Sequence, residues 1–124
     1  SEREKVEGIV LIYAPTEAYL KLAGVAYRSH REQLIKWLAK QGKHPEQLDG
    51  YAKDTYYTYA NVIDQFHRYV WDDEDRFTLD LTHDHADEYL RELILSDDDY
   101  STSHLDNTKL ALKAYFRFTG NEWD

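Results

Sequence analysis

The clearest pattern of apolar residues lies in the segment Asp54–Trp71, DTYYTYANVIDQFHRYVW. Its main apolar residues are spaced by four, three and four positions: Tyr59, Ile63, Phe66 and Val70. This spacing places them on one face of an α-helix, which is expected to pack against a core. Asp54 is a suitable N-cap, because its carboxylate can accept hydrogen bonds from free backbone N–H groups. The pattern therefore predicts a buried helix from Asp54 to Trp71.

The segment that precedes it predicts a longer helix, Thr16–Gln41. Pro15 stands before this helix and Gly42 follows it, in agreement with the usual start and stop signals. Gly24 is expected to weaken the middle of the helix by roughly 1 kcal/mol relative to alanine. The connection KHPEQLDG is expected to contain one helical turn that begins at Pro45. The residues expected to face the core are Leu20, Ala23, Tyr27, Leu34 and Leu38.

Two further helices are predicted in the C-terminal half of the chain. Thr82 is expected to cap the third helix, and Ser103-His-Leu-Asp106 fits a capping box that opens the fourth helix. The fourth helix is expected to end at Gly120. The residues expected to be buried are Ala86, Tyr89 or Leu90, and Leu93 in the third helix, and Leu105, Leu112, Tyr115 and Phe116 in the fourth. These patterns together predict an all-α protein, a bundle of four to five helices.

Three segments fall between the helical patterns. The acidic runs DDED (72–75) and DDD (97–99) are predicted to be solvated loops, because each separates two helical segments. The apolar segment Val6–Tyr13 fits either a strand or a helical turn.

The composition is that of one domain. The chain has 124 residues, of which 42% are hydrophobic, so it can bury a core. It has no cysteine, which excludes disulfides and cysteine-ligated metal sites. It has no run of about 18 apolar residues and no signal-peptide character, so we expect a cytoplasmic protein without a membrane span. Because it lacks methionine, we expect it to be a piece of a longer protein.

The net charge is strongly negative, with 24 acidic and 15 basic residues and a formal value of −9. An ordinary acidic domain repels nucleic acid. A protein that works in molar salt, however, often carries an acidic surface that keeps it hydrated and soluble. The charge therefore leaves both a halophilic origin and a surface for a basic partner open.

The segment HDHADE, His83–Glu88, follows the H-x-H-x-D-H motif of zinc hydrolases up to its last position. A zinc site needs its ligands to converge on one point. Residues two apart near the start of a helix point in different directions. We therefore expect no metal site here, and we interpret these residues as polar groups at a helix start.

Catalytic motifs do not stand out elsewhere in the chain. Its five glycines are scattered singly, so they form no phosphate-binding loop, and nothing orients a Ser-His-Asp arrangement. We expect this segment to be non-catalytic and to use no cofactor.

Polar and basic residues on the outward sides of two helices are the remaining candidates for function. Such side chains contact phosphates and base edges in protein–DNA complexes. The candidate DNA-binding residues are Lys53, Thr55, Tyr56 and Thr58 in the second helix, and His104, Asn107, Thr108, Lys109, Lys113 and Arg117 in the fourth.

The order of these motifs resembles the N-terminal core-binding, SAM-like domain of tyrosine recombinases, the phage-integrase and Xer-type proteins. The family pattern T-x-x-x-Y, then Phe, then an aromatic residue is matched by Thr55, Tyr59, Phe66 and Trp71. Its L-T-x-x-D/H-x-x-x-Y/F-L segment is matched by LTHDHADEYLREL, Leu81–Leu93. Its last helix, T-I-N-R-R-L-S-A-L-R-S-F-F-R-W, aligns with HLDNTKLALKAYFRF, His104–Phe118. The matched positions there are Leu105, Ala111, Leu112, Lys113, Tyr115, Phe116, Arg117 and Phe118.

The resemblance implies a division of the chain and a function. Residues 50–124 would form the core-binding domain, and residues 1–49 an extension with an extra N-terminal helix that packs with it as one domain. The domain would clamp double-stranded DNA at a recombination site beside other recombinase protomers. Cleavage and rejoining would belong to a C-terminal domain that this chain lacks.

The chain departs from the family pattern at the fourth helix. Asn107 and Thr108 stand where the family has a pair of arginines, and His104 stands at a threonine position. These changes suit a halophilic source, in which counterion release contributes little affinity and hydrogen bonds contribute more. The alternative function is an acidic helical module that binds another protein and does not bind DNA.

Overall fold

The computed structural model describes residues 16–96 and 100–123, with side chains from residue 23 onward. The helices in these ranges are α1 (Thr16–Gln41), α2 (Lys53–Glu74), α3 (His83–Leu95) and α4 (Thr102–Phe118), with a 3₁₀ turn at Pro45–Gln47. The predicted all-α fold is confirmed. The ambiguous segment Val6–Tyr13 and the acidic run at 97–99 lie outside the described residues.

Helix α2 occupies the centre of the bundle and packs against the other three helices. Its predicted apolar stripe is buried, and Phe66 and Val70 have no exposed surface. Phe66 lies between α3 and α4, with ring-centroid distances of 5.4 Å to Tyr89 and 6.3 Å to Phe116. The buried stripes of the other helices complete the same core: Leu34 and Leu38 from α1, Ala86, Tyr89 and Leu90 from α3, and Ala111, Leu112, Ala114, Tyr115 and Phe116 from α4.

Helix α1 follows its predicted bounds and has a kink in its N-terminal third. Ala23 has non-helical dihedrals (φ −112°, ψ 17°), next to Gly24, where the sequence predicts a weak point. After this kink, Tyr27 is buried and its hydroxyl donates to Asp64 of α2. Burial and the bond to Asp64 both raise the pKa of the Tyr27 hydroxyl. This contact holds the part of α1 that follows the kink against α2.

The connection between α1 and α2 folds back tightly on α1. The predicted turn at Pro45 is present, and the Tyr51 N–H donates to the Leu38 carbonyl at 2.9 Å. Gly50 passes so close to α1 that a Cβ atom would lie 1.8 Å from the Ala39 carbonyl oxygen. A side chain cannot fit there, so Gly50 determines where α2 begins relative to α1.

Two of the predicted helix starts are wrong in detail. The N-cap of α2 is Ala52, and Asp54 lies inside the first turn, where its negative charge still suits the helix dipole. The N-cap of α4 is Ser101, whose hydroxyl accepts a hydrogen bond from the His104 N–H at 3.1 Å. Ser103 lies within α4 and is not its cap. In both cases the chain enters the helix two residues earlier than the side chains suggest.

The acidic run at 72–75 is mostly helical and is not the loop that the sequence predicts. Helix α2 continues to Glu74 and ends at Asp75, which adopts a left-handed conformation (φ 56°). The reason lies in the packing that follows. The Trp71 indole N–H donates to the Thr78 carbonyl at 2.7 Å, and Glu74 pairs with Arg76 and with His85 of α3. These contacts outweigh the unfavourable placement of acidic residues at a helix C-terminus.

Helix α3 begins as predicted, at Thr82. The Thr82 hydroxyl accepts from the His85 N–H at 3.2 Å, and the His85 Nδ1 accepts from the Thr82 N–H at 2.9 Å. This reciprocal pair is a capping box in which a histidine takes the place of the usual glutamate or glutamine. Because Nδ1 accepts, the proton of the neutral imidazole is on Nε2, which donates to Glu74 at 2.5 Å.

Candidate nucleic-acid interface

The first turn of α2 presents small polar groups at one end of the bundle. Lys53 and Thr58 are exposed, and Thr55 is half-buried. The Thr58 hydroxyl donates to the Asp54 carbonyl at 2.8 Å, one turn back along the helix. This bond leaves the hydroxyl oxygen free to accept a hydrogen bond from a ligand.

An open cleft of about 280 Å³ lies between this turn and α4. Its walls are formed by Asp54, Thr55, Thr58, Tyr59 and Asn107. Three candidate residues from two helices therefore line the same cleft: Thr55, Thr58 and Asn107. Residues that contact one DNA molecule must lie close together in this way. Asp54 and Tyr59 also line the cleft. The sequence predicted Asp54 only as a helix cap and Tyr59 only as a core residue.

The candidate residues of α4 do not share one face. Asn107 and Lys109 differ by about 200° around the helix axis at 100° per residue. Asn107 borders the cleft, whereas Lys109 projects from the opposite side of the exposed arc, and Lys113 lies between them on that arc. Lys109 and Lys113 are both exposed. A ligand that contacts all three residues must therefore cover a wide part of the surface of α4.

Thr108 does not belong to the exposed surface of α4. It is 1% exposed, and its hydroxyl donates to the His104 carbonyl at 2.9 Å. His104 is half-buried, and its ring stacks on Tyr100 at 4.8 Å with an interplanar angle of 18°. His104 thus keeps part of its side chain at the surface, whereas Thr108 is buried in the packing of α4.

Two further candidates are engaged inside the protein. The Arg117 guanidinium donates to the Gly42 carbonyl at 2.9 Å and to the Tyr51 hydroxyl at 3.1 Å. It therefore ties the end of α4 to the connection between α1 and α2. Tyr56 is half-buried, packs on the main core and lies 4.9 Å from the Tyr57 ring. Both residues position the candidate surface from within, a role that the resemblance could not distinguish from DNA contact.

The histidines of the HDHADE segment point to different parts of the bundle. His83 donates from Nε2 to the Asn121 carbonyl at 2.7 Å, and its ring meets the Phe116 ring edge to face at 4.8 Å. His85 bonds to Glu74 of α2, as described above. Within the described ranges, no three His, Asp or Glu side chains lie close enough together to hold a metal ion.

A buried polar network links α1, α2 and α4, and the sequence patterns did not reveal it. The His67 Nδ1 donates to the Ile63 carbonyl at 2.8 Å, so its Nε2 must accept from the Tyr115 hydroxyl at 3.2 Å. The same hydroxyl accepts from the His30 Nε2 at 3.0 Å. Burial lowers the pKa of His67 to about 3 and also lowers the pKa of His30. One sequence feature could have indicated this network: His67 follows Ile63 by four residues, so a polar side chain falls on the buried side of α2.

Much of the negative charge lies at the C-terminal end of α2 and the start of α3, far from the cleft. Residues 72–88 contain eight acidic residues and one basic residue, a net charge of −7. Along α2, Asp72 lies about 25 Å from Thr55 at 1.5 Å per residue. Helix α4 itself carries three basic residues and one acidic residue. The most acidic segment of the described chain therefore lies at the end of α2 opposite the cleft.

Comparison with known proteins agrees with this architecture. A family model described as the phage integrase, N-terminal SAM-like domain matches residues 38–124. The chain belongs to this family. No curated protein and no solved structure matches the chain. The match begins near the end of α1, although Leu34 and Tyr27, which precede it, are buried against the other helices of the integrase domain. No helix in the described part of this domain combines the length and apolarity of a membrane span.

Proposed function

We propose that this integrase-family domain binds double-stranded DNA at a recombination site, as the N-terminal domain of a site-specific tyrosine recombinase. The domain would clamp one side of the site while a separate catalytic domain cleaves and rejoins the strands. The observation that carries this proposal is the convergence of Thr55, Thr58 and Asn107 in one cleft of a phage-integrase fold. Other recombinase protomers would be its protein partners, and the cytoplasm its compartment.

The proposed contacts divide into two chemical groups. Lys53, Lys109 and Lys113 are exposed cations, which suit phosphate oxygens. Thr55, Thr58 and Asn107 in the cleft are uncharged hydrogen-bonding groups, which suit base edges and sugar oxygens, and the half-buried His104 ring adds hydrogen-bonding nitrogens beside them. Thr108, Arg117 and Tyr56 act inside the domain, where they hold α4 and the start of α2 in place.

The charge distribution supports a DNA-binding orientation despite the net charge of −9. With the cleft toward DNA, the acidic segment 72–88 would lie at the far end of α2, away from the contacted phosphates. Screening by salt reduces the remaining repulsion, since the Debye length is only about 3 Å at 1 M ionic strength. We propose a halophilic origin on this basis, because molar salt would suppress the repulsion and leave the short hydrogen bonds at the cleft.

A matched pair of charge reversals tests the proposed surface. Lys113→Glu on α4 and Arg91→Glu on α3 each change the charge by the same amount, and both positions are exposed. We expect Lys113→Glu to weaken binding to the attachment-site duplex of the parent element several-fold, with Arg91→Glu nearly unchanged. Fluorescence anisotropy at low salt measures both. Adding Lys109→Glu to Lys113→Glu should abolish the remaining binding.

The opposite result has a defined meaning. If the doubly reversed variant binds the duplex as well as the wild-type domain does, α4 is not the DNA surface. The acidic protein-interaction module is then the better interpretation of the domain.

A further inference from the structure

The chemistry of the cleft at α2 and α4 differs from that of a phosphate site. Its lining contains a carboxylate (Asp54), two threonine hydroxyls, a tyrosine and an amide (Asn107), and no cation. A phosphate placed there would face the Asp54 charge without an ion-pair partner. The cleft therefore suits a neutral group that both donates and accepts hydrogen bonds.

Asn107 is free to bind such a group. It is exposed, and no residue in the described part of the chain makes a hydrogen bond to its amide. Its donor and its acceptor are both available at the mouth of the cleft. An asparagine amide matches the N6 amino group and N7 of adenine in the DNA major groove, where it forms two parallel hydrogen bonds.

The neighbouring residues agree with adenine rather than guanine. Guanine presents two acceptors, N7 and O6, at the same groove edge. Asp54 at the cleft can only accept when ionised, so it would repel O6 and favour an exocyclic amino group. On the preferred base pair, the thymine opposite adenine carries a methyl group.

An exposed apolar residue, Leu110, lies close enough to Asn107 to contact that methyl group. Leu110 is 49% exposed and lies one helical turn beyond Asn107, on the same side of α4. An exposed leucine among polar residues gains free energy when it covers a methyl group. We propose, on the basis of the DNA-binding function inferred above, that Asn107 is the specificity-determining residue of this domain: it binds adenine, and Leu110 contacts a thymine methyl group.

Selection from duplexes with a randomised central sequence tests the assignment without knowledge of the natural site. The wild-type chain, immobilised at low salt, should enrich adenine at one position. Asn107→Ala should lose that preference while retaining binding to the pool, and Asn121→Ala, a change at another exposed asparagine, should keep it. On the selected duplex, replacing that adenine with 7-deazaadenine should weaken wild-type binding, and the Asn107→Ala variant should be insensitive to the replacement.

The expected size of the effect follows from the bonds removed. A bidentate contact discriminates against a wrong base by roughly five-fold to 150-fold. Replacing the thymine with deoxyuridine should weaken wild-type binding by about four-fold for one methyl group, and Leu110→Ala should remove that difference.

The outcomes separate this inference from the function on which it rests. If the wild-type chain binds the pool but enriches no adenine, or if Asn107→Ala enriches the same adenine, the assignment of Asn107 is wrong and DNA binding stands. If the wild-type chain binds no duplex at low salt, the proposed function fails as well.

Discussion

At the scale of single residues, the histidine at the centre of the bundle makes stability depend on pH. His67 is 1% exposed, and its one acceptor nitrogen is occupied by the Tyr115 hydroxyl. If Nε2 were protonated, its hydrogen would point at the hydrogen of the Tyr115 hydroxyl, and the added charge would be buried. The pKa of His67 is accordingly lowered by burial to about 3, from an ordinary value near 6.5.

The direction of the resulting pH dependence follows from proton binding. Between about pH 3 and 6.5, the unfolded chain binds a proton at His67 that the native state excludes. Folding stability from this group is therefore complete above pH 6.5 and is lost as the pH falls. We expect the free energy of unfolding, measured with urea, to decrease by up to about 1.4 kcal/mol per pH unit in this range.

A pair of glutamine variants isolates the contribution of His67. His67→Gln should reduce the pH dependence, and part of the remaining slope should come from His30, whose pKa burial also lowers. His44→Gln, at an exposed position, should leave the slope unchanged. A slope that is the same in His67→Gln and in the wild type would assign the pH dependence to other groups.

At the scale of the helices, the buried stripes could be predicted because they depend on periodicity alone. Tyr59, Ile63, Phe66 and Val70 recur at helical spacing and are all buried. The helix starts could not be predicted as well, because a cap depends on where the chain enters the helix. Ser101 and Ser103 are both good caps by residue type, and only the structure shows that Ser101 is the one used.

The two serines provide a matched test of that cap. Ser101→Ala removes the acceptor of the His104 N–H and should cost about 1 kcal/mol, within the usual range of 0.5–2 kcal/mol. Ser103→Ala lies inside α4 and should be neutral or slightly stabilising, since alanine has the better helix propensity. Urea unfolding of both variants measures the difference. Equal effects of the two substitutions would contradict the assignment of Ser101 as the cap.

The candidate site was less predictable than the stripes because it depends on tertiary packing. The resemblance placed Thr55 and Asn107 on two helices, and the fold brings them into one cleft. It also marked Thr108 and Arg117, which the fold uses internally. Arg117 donates a hydrogen bond to the Gly42 carbonyl, 75 positions away. Local sequence patterns cannot predict a contact between residues so far apart in the chain.

At the scale of the whole molecule, charge and contact surface are separated along the central helix. The acidic segment 72–88 begins at the C-terminal end of α2, whereas the cleft lies at the N-terminal turn of that helix. In the described part of the chain, the exposed cations proposed to contact phosphates are Lys53, Lys109 and Lys113. The domain should therefore rely on counterion release less than a basic DNA-binding domain does.

This separation predicts how binding responds to salt. Each neutralised phosphate contributes about −0.9 to the slope of log K against log salt, so a few contacts give a slope of about −2 to −4. Asp72→Asn combined with Asp73→Asn, at exposed positions about 25 Å along α2 from Thr55, should leave this slope unchanged and strengthen binding only slightly. Lys113→Glu should make the slope shallower, because it removes a phosphate contact. Titrations of the attachment-site duplex at several salt concentrations measure all three values. A steeper slope would mean that more cations than these three lysines contact phosphates. A large gain in affinity from the aspartate substitutions would mean that the acidic end of α2 lies against the DNA.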